Sequence, residues 1–573
     1  MNPTQLLEHF DRITEVPGSV SDLRALIIHL GVTGKLVQHE DEGLYGDAFH
    51  LKIQEGIARL AAGCNRCRWR ASNRVAPKEA PFSIPDHWTW ARINDTGLYI
   101  NGIAFKPTDW KIEGLPIIRI QNLSDETKEF NYVEGSFADE NLIRYGDLLV
   151  SWSATLDAFL WHRADGVLNQ HIFKVIVNED AVARNYLYWL LKHEIKSLAD
   201  SDHAHGLAMK HINRGPFLAH LIPIPPLAEQ HRIVAKIDEL MVLCDQLEAA
   251  KTEREAQRGR LVAASLNRIG TAPAAADEAA TEAQSATPLR DATRFHLDHL
   301  PRLTTRPEHI KQLRQTILNL AVRGRLVPQD PNDESAAELL DRIQFEKAQR
   351  QGDKTTRGKS NLERDEITEF RVPLGWVLTD LGSVALKITD GTHKTPTYVD
   401  SGIPFVSVKD FSSGKLSLSN TRFITRHEHE VLYRRCDPKR GDILIGRIGT
   451  LGKAVLVDTD IEFSLFVSVG LIRFSHGYIA PEFFRLVLNS PFVESEFDRI
   501  KVGGGTHTNK LNLGDLHTVA FPLPPLAEQF RIIAKVDELM ALCDQLEAQL
   551  TAAQSGSRRL LEAVLHEALA AAA

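Results

Sequence analysis

The chain has 573 residues, more than one hydrophobic core organises, so several domains are expected. Hydrophobic content of 43% and charged content of 25% suit ordinary globular domains; no apolar run reaches about 18 residues, which argues against a membrane span, and five cysteines over this length do not make a disulfide framework. A net charge of −8 argues mildly against an autonomous nucleic-acid binder, but charge is a whole-chain average and a partner subunit can supply the basic cleft.

The N-terminal stretch MNPTQLLEHFDRITEV reads as an amphipathic helix bearing acids, not as a basic, apolar signal sequence, so a cytoplasmic location is expected. Leu6, Phe10 and Ile13 share one face, Pro17-Gly18 breaks the run, and Leu23, Ile27 and Leu30 line a second helix. This block returns 290 positions later: Leu23, Arg24, Ile27, Leu30, Val32, Gly34 and Leu36 meet Leu313, Arg314, Ile317, Leu320, Val322, Gly324 and Leu326. In the polar connector that follows, Cys64-x-x-Cys67 lacks a second cysteine pair at ligand spacing and reads as two plain thiols.

From residue 81 the pattern changes to short apolar runs after turn residues, which read as strands. IPDHW (Ile84 to Trp88) answers VPLGW (Val372 to Trp376), and GLPIIRIQN (Gly114 to Asn122) answers GIPFVSVKD (Gly402 to Asp410), both 288 apart. GDLLV (Gly146 to Val150) answers GDILI (Gly441 to Ile445) at 295. The offset drifts to 299 inside this mixed α/β block, where loops and side chains differ widely. Helical blocks thus repeat closely while the domains between them keep a framework and diverge in their loops, where recognition is usually carried.

Pro223 to Ala249 returns as Pro522 to Ala548 with five of twenty-seven positions changed. Each copy opens on prolines, which end the preceding element, and continues on good helix formers. Ile233, Ile237, Leu240, Cys244 and Leu247 follow a four-three spacing, repeated at Ile532, Val536, Leu539, Cys543 and Leu546, which is a coiled-coil seam in search of a partner. The other copy is the expected partner. The predicted architecture is α+β, an internal tandem repeat with a pseudo-two-fold axis. It comprises an N-terminal helical region (1–80), a mixed α/β domain (81–222), a central coiled-coil helix (223–270) and an Ala/Thr-rich linker (271–290). A second helical region (291–368), a second mixed α/β domain (369–521) and a C-terminal coiled-coil helix (522–573) complete it, the two long helices pairing antiparallel.

Catalytic signatures are missing. Gly446 to Lys453 resembles a phosphate-binding loop, but its outer glycines are one residue too far apart and Ala454 stands where a magnesium-binding hydroxyl belongs, so a hairpin turn is expected. Gly503 to Lys510 reads as a flexible polar loop that either touches phosphate through backbone N–H groups or simply connects, and His203-x-His205 lacks the company a metal ligand needs. No residue is assigned to catalysis or to a metal.

Two copies of PxPPLAEQxRI followed by a helix, LAVRGRLVPQD (Leu320 to Asp330) with its weaker copy at Leu30 to Glu40, the Gly146 turn and the loop DGTHKTP (Asp390 to Pro396) together resemble the specificity subunit of a type I restriction-modification enzyme, the HsdS family. The resemblance covers essentially the whole chain. It implies two target-recognition domains, each reading one half of a bipartite double-stranded DNA site, on an antiparallel helical spacer. It further implies partnership with two modification (methyltransferase) subunits and with restriction subunits, no membrane, and S-adenosylmethionine, ATP and magnesium on those partners with no cofactor in this chain. A protein-binding scaffold and a nucleotide hydrolase at Gly446 to Lys453 are the alternatives.

Candidate DNA contacts are chosen by chemistry, since Arg and Lys can address guanine and Asn and Gln adenine. In the first domain they are Lys106, Arg119, Gln121, Asn122, Ser151, Asn169, Gln170, Lys210 and Asn213. In the second they are Thr392, His393, Lys394, Lys409, Arg447, Lys453, His507, Asn509 and Lys510. Lys106 and Lys394 coincide at the 288 offset, which favours a phosphate or framework role for that pair.

Overall fold

The computed structural model describes residues 14–40, 46–64, 69–153, 155–199, 204–205, 211–271, 282–351, 370–503 and 509–570. Contacts divide the chain into two units, residues 1–254 with 554–573, and residues 255–553.

Unit 1 begins with helices α1 (Ser19–Val32) and α2 (Gly46–Ala62). Its α/β domain is closed at the base by an antiparallel pair, Thr89–Arg92 with Leu221–Ile224, so the chain enters and leaves side by side. Above that pair stands an antiparallel sheet in the order Gly97–Asn101, Ile172–Val177, Leu148–Ser151, Asp157–Leu160, against which helix α3 (Arg184–Ala199) packs. A second sheet runs Asn131–Val133, Leu115–Ile118, Gly166–Leu168, Leu142–Ile143, its two central strands parallel. Helix α4 (Leu227–Thr271) then leaves the domain, its residues to Arg254 in unit 1 and the rest in unit 2.

Unit 2 repeats the plan. Helix α5 (Pro307–Val322) stands where α1 does, and Val377–Asp380 pairs with Ala520–Leu523 as the base. The first sheet is Ala385–Asp390, Val469–Phe474, Ile443–Gly446, Ala454–Leu456, with helix α6 (Pro481–Leu488) packed on it. In the second sheet, Arg422–Ile424, Ile403–Val406 and Ser464–Leu465 keep the three-strand centre with its parallel pair. The fourth strand, however, changes side. Leu142–Ile143 borders Gly166–Leu168 in unit 1, whereas Tyr398–Val399 borders Arg422–Ile424, at the opposite edge, in unit 2. Helix α7 (Leu526–Ala570) ends the unit, and its residues from Gln554 onward belong to unit 1.

The repeated motifs have local causes. Gly34 and Gly324, just past the ends of α1 and α5, have φ of 76° and 65°. A Cβ on either would meet the proline of the next motif, Pro85 at 2.8 Å or Pro373 at 2.3 Å, with Trp88 or Trp376 at 3.1 Å. The glycine and the P-x-x-W motif therefore recur together because they touch. In the LAEQ turn, the fully buried side chain of Gln230 accepts the Ala183 N–H at 2.7 Å and donates to Ala181 O and Pro225 O at 2.9 and 2.8 Å; Gln529 does the same for Ala480 N–H, Tyr478 O and Pro524 O. Each glutamine thereby ties its long helix to the start of α3 or α6.

Most seam positions are buried or half-buried. Ile233 and Ile237 sit in the core of unit 1 with Ile27, Ile28 and Val32 of α1, while Ile532, Val536 and Cys543 sit in the core of unit 2 with Ile310 and Ile317 of α5. Within its own unit each of these groups packs on a helix of the repeated N-terminal block, α1 in unit 1 and α5 in unit 2. Leu539 and Leu546 pack on the unit 2 core, Leu240 and Leu247 are half-buried, and Cys244 is buried. Farther along, Val262, Leu266 and Ile269 of α4 pack with Ala292 and Leu303 in unit 2, and Leu561 and Val564 of α7 pack with Val16 in unit 1. A sequence expectation is corrected: Cys64 is no plain thiol but buried beside Ile57 and Leu98 and disulfide-bonded.

Candidate nucleic-acid interface

In each domain the structure gathers the candidate loops at one end of the parallel strand pair. Leu115–Ile118 and Gly166–Leu168 both finish there, and the loop after Asn101 closes over them: Ile103 N–H donates to Leu168 O at 2.8 Å, Gln170 N–H to Ile103 O at 2.8 Å, and Asn169 N–H to Ile118 O at 3.1 Å. Close approach explains Gly102, whose Cβ would lie 2.0 Å from Asn169 O; Gly391 would lie 2.0 Å from Leu465 O in the second domain. There Thr392 N–H donates to Leu465 O at 2.8 Å, Phe466 N–H to Val406 O at 2.9 Å and Arg447 N–H to Ser468 O at 2.9 Å.

Several candidates prove to be framework. Asn122 is buried; its Oδ1 accepts the Arg119 N–H at 3.1 Å and its Nδ2 donates to Lys128 O and Glu129 O. Asp410 caps the same turn in the second domain by accepting from Ser407 N–H at 2.7 Å. The sequence expectation of one strand over 114–122 is corrected accordingly: the strand ends at Ile118 and a capped turn follows. Ser151 is buried and donates to Ser153 O. Arg447 is also buried: its Nε donates to Leu511 O at 3.0 Å and its Nη1 bonds Asp390. Asp390, 1% exposed, gathers Arg447, Arg435 and His393, the last at 3.0 Å, so the loop opening DGTHKTP is built around a buried counterion. Lys453 donates to Ser412 O.

Other candidates present their chemistry outward. Lys106, Gln121, Gln170, Asn213, Lys394, Lys409 and Lys510 are exposed, as is His393 despite its bond to Asp390. Arg119 is half-buried, donating to Asn131 Oδ1 at 3.0 Å with its guanidinium 5.3 Å from the Trp110 ring centre. Thr392 and Asn509 are half-buried, and the Asn509 carbonyl accepts from Gly449 N–H. Lys210 and His507 lie outside the described residues, as does His203. Gly446 to Lys453 is a hairpin connection, Ile445 facing Ala454 across it.

Sequence reasoning missed two aromatic residues. Trp152 and His171 stack edge-on with ring centres 4.9 Å apart, and His171 has a left-handed φ of 74°, rare for a residue with a side chain. Trp152 Nε1, His171 Nδ1 and Asn169 Oδ1 are all buried and have no hydrogen-bond partner. The three atoms lie on adjoining segments beside exposed Gln170. Nothing in spacing betrays this; only the fold brings 152 to 171.

The family model for the type I restriction modification DNA specificity domain matches residues 85–256 and again residues 373–553. The chain belongs to that family. It is 26% identical to the EcoAI specificity subunit of Escherichia coli over 96% of this chain and 94% of that protein, and 25% identical to the EcoEI specificity subunit of the same species, again over 96% and 94%. A chain in a solved type I R-M structure is 17% identical, with a TM-score of 0.45, over 85% of this chain and 99% of that one. This specificity subunit carries the DNA-recognition role of its system, and its two domain copies are the two α/β blocks with their adjoining stretches of long helix. Among the described residues no helix is long and apolar enough to cross a membrane.

Proposed function

We propose that each α/β domain reads one half of a bipartite, asymmetric double-stranded DNA target, and that the long helices set the distance between the halves and dock two identical modification subunits. S-adenosylmethionine, ATP and magnesium belong to those partners, and the assembly acts in the cytoplasm. The observation that carries this reading is where the repeat holds and where it lapses. On the helices even exposed residues recur: Asp238, Leu243 and Gln246 return as Asp537, Leu542 and Gln545, with Leu243 and Leu542 51% and 48% exposed. Core packing does not demand identity at such positions, whereas a partner bound twice does. In the α/β domains the edge strand moves and the loops diverge, as two readers of different sequences should.

Mapping methylated adenines in cells carrying the complete system tests this. A bipartite motif is expected, and exchanging residues 81–222 for those of a relative should rewrite one half of it. If the exchange rewrites both halves or neither, the reading fails. Inserting about one helical turn after Leu247 should lengthen the unread spacer and leave both halves unchanged.

A further inference from the structure

The first turn of each long helix carries a buried glutamate, and the two units satisfy it differently. In unit 2, Glu528 accepts hydrogen bonds from Gln329 Nε2 at 2.6 Å and from the indole Nε1 of Trp376 at 2.9 Å, both neutral donors. In unit 1 the counterpart Glu229, 1% exposed, faces two imidazoles: His39 Nδ1 lies 2.7 Å from Oε1 and His87 Nε2 lies 2.7 Å from Oε2. The ligand atoms of the three residues all lie within 4.8 Å of one another, and no other group of three histidines, cysteines or acids comes together so closely among the described residues. Trp88, the counterpart of Trp376, is left with a buried Nε1 that has no hydrogen-bond partner.

We propose that His39, His87 and Glu229 form a binding site for a divalent transition-metal ion of the zinc class. Two imidazole nitrogens and a carboxylate oxygen are a zinc donor set, and the nitrogen ligands disfavour magnesium and calcium, which take oxygen. Tetrahedral coordination at Zn–N and Zn–O lengths near 2.1 Å sets neighbouring ligand atoms about 3.4 Å apart, so the 2.7 Å contact between the ligating oxygen and its imidazole needs to open by roughly 0.7 Å. His39 keeps 40% of its side chain exposed, which leaves a fourth position for water.

The orphaned indole is the second observation. Once the ion takes one oxygen of Glu229, the other is free to accept the Trp88 N–H, as Oε2 of Glu528 accepts that of Trp376. The site would then have no unsatisfied buried donor. Its three ligands come from three places: the segment after α1, the turn entering the base strand Thr89–Arg92, and the first turn of α4. The ion would staple the α/β domain of unit 1 to its helices. Unit 2, with Gln329 and Gly375 at the histidine positions, has no counterpart.

The test is zinc binding by the full chain, using the His39→Gln/His87→Gly variant, which installs the residues of unit 2 and should therefore fold. The wild type is expected to retain one zinc per chain through dialysis, to gain thermal stability on zinc addition, and with cobalt(II) to show d–d bands without thiolate charge transfer. The double variant should lose that equivalent and that gain, and His39→Gln alone should weaken binding at least tenfold. Zinc held equally by the double variant would place the ion elsewhere and overturn the proposal. So would a wild type that binds no zinc at micromolar concentration, which would leave a hydrogen-bonded triad only.

Discussion

Gly31 on α1 and Ile237 on α4 stand in unit 1 where Ala321 on α5 and Val536 on α7 stand in unit 2. A Cβ added to Gly31 would lie 2.9 Å from the Ile237 Cδ1, the atom that valine lacks. A methyl group has been moved from one helix to the other with the volume kept, as a close-packed interior requires. His39 and His87 against Gln329 and Gly375 around the buried glutamate are a second paired change, there of hydrogen-bond partners. The helical frame can thus trade volume between touching partners, while the recognition domains diverge in loop sequence and length. That contrast can be broken at graded depths.

The largest effect is expected at the buried glutamines. Gln230→Ala strands the Ala183 N–H and two carbonyls, at about 1–3 kcal/mol for each buried group left unpaired, so unit 1 should lose roughly 3 kcal/mol or more. Gln529→Ala should cost unit 2 less, because its two donated bonds are longer, 3.3 and 3.2 Å against 2.9 and 2.8 Å. Urea unfolding of the full chain, followed by a probe in each unit, measures both; equal losses would deny the difference.

Acid should separate the units next. In unit 1, burial opposes ionisation of Glu194, but hydrogen bonds from His193 and His220 outweigh it and hold the carboxyl at about 2. A depressed carboxyl contributes stability that is present above its unfolded value of about 4.5 and is lost as pH falls toward about 2, on the order of 3 kcal/mol. In unit 2, burial raises the Glu528 carboxyl above its ordinary value in spite of the Trp376 and Gln329 bonds. A raised carboxyl works in the other sense: stability is lost as pH rises through its folded value and regained as pH falls. Thermal melts should thus show unit 1 weakening below pH 4.5 while Glu528 favours unit 2, and Glu194→Gln should flatten the first trend.

The methyl exchange comes third. Gly31→Ala should cost about 1 kcal/mol through overpacking, and Ile237→Val in the same chain should recover most of it. A double variant no more stable than Gly31→Ala would show that the pair does not trade volume.

Most of the frame was legible in the sequence because its contacts are repeated. Pro85 and Trp88 recur with Gly34 since they touch it, and the prolines and glutamine of PPLAEQ recur since each satisfies or ends a fixed backbone segment. The seam was legible as a stripe but not as an address: a four-three spacing says that a helix buries one face, not that Ile27 and Ile310 cover it. The interface was less legible still. Residue type chose Arg447 and Asn122 for their hydrogen-bonding reach, and that reach is spent on Asp390 and on backbone carbonyls. Trp152 and His171, and the triad of His39, His87 and Glu229, lie too far apart in sequence for any spacing rule to join them.

The smallest expected effect is at the ion clamps. Arg24 reaches Asp245 and Glu248 at 2.6 and 2.8 Å, and Arg314 reaches Asp544 and Glu547 at 2.7 and 3.0 Å, the same geometry in both units. The four acids are between 49% and 73% exposed, and solvent screens such pairs, so Arg24→Ala and Arg314→Ala should each cost less than about 1 kcal/mol, less again at high salt. An interaction worth so little to the fold does not by itself explain its duplication. Each clamp holds the exposed face of a long helix beside Leu243 or Leu542, where the modification subunits are proposed to dock. Either arginine substitution should therefore weaken assembly with those subunits by more than it shifts the melting temperature, and a double-mutant cycle with Glu248→Ala should give a coupling of about 0.2–1 kcal/mol in the free chain. If the free chain loses several kcal/mol while assembly is untouched, the clamps serve the fold alone.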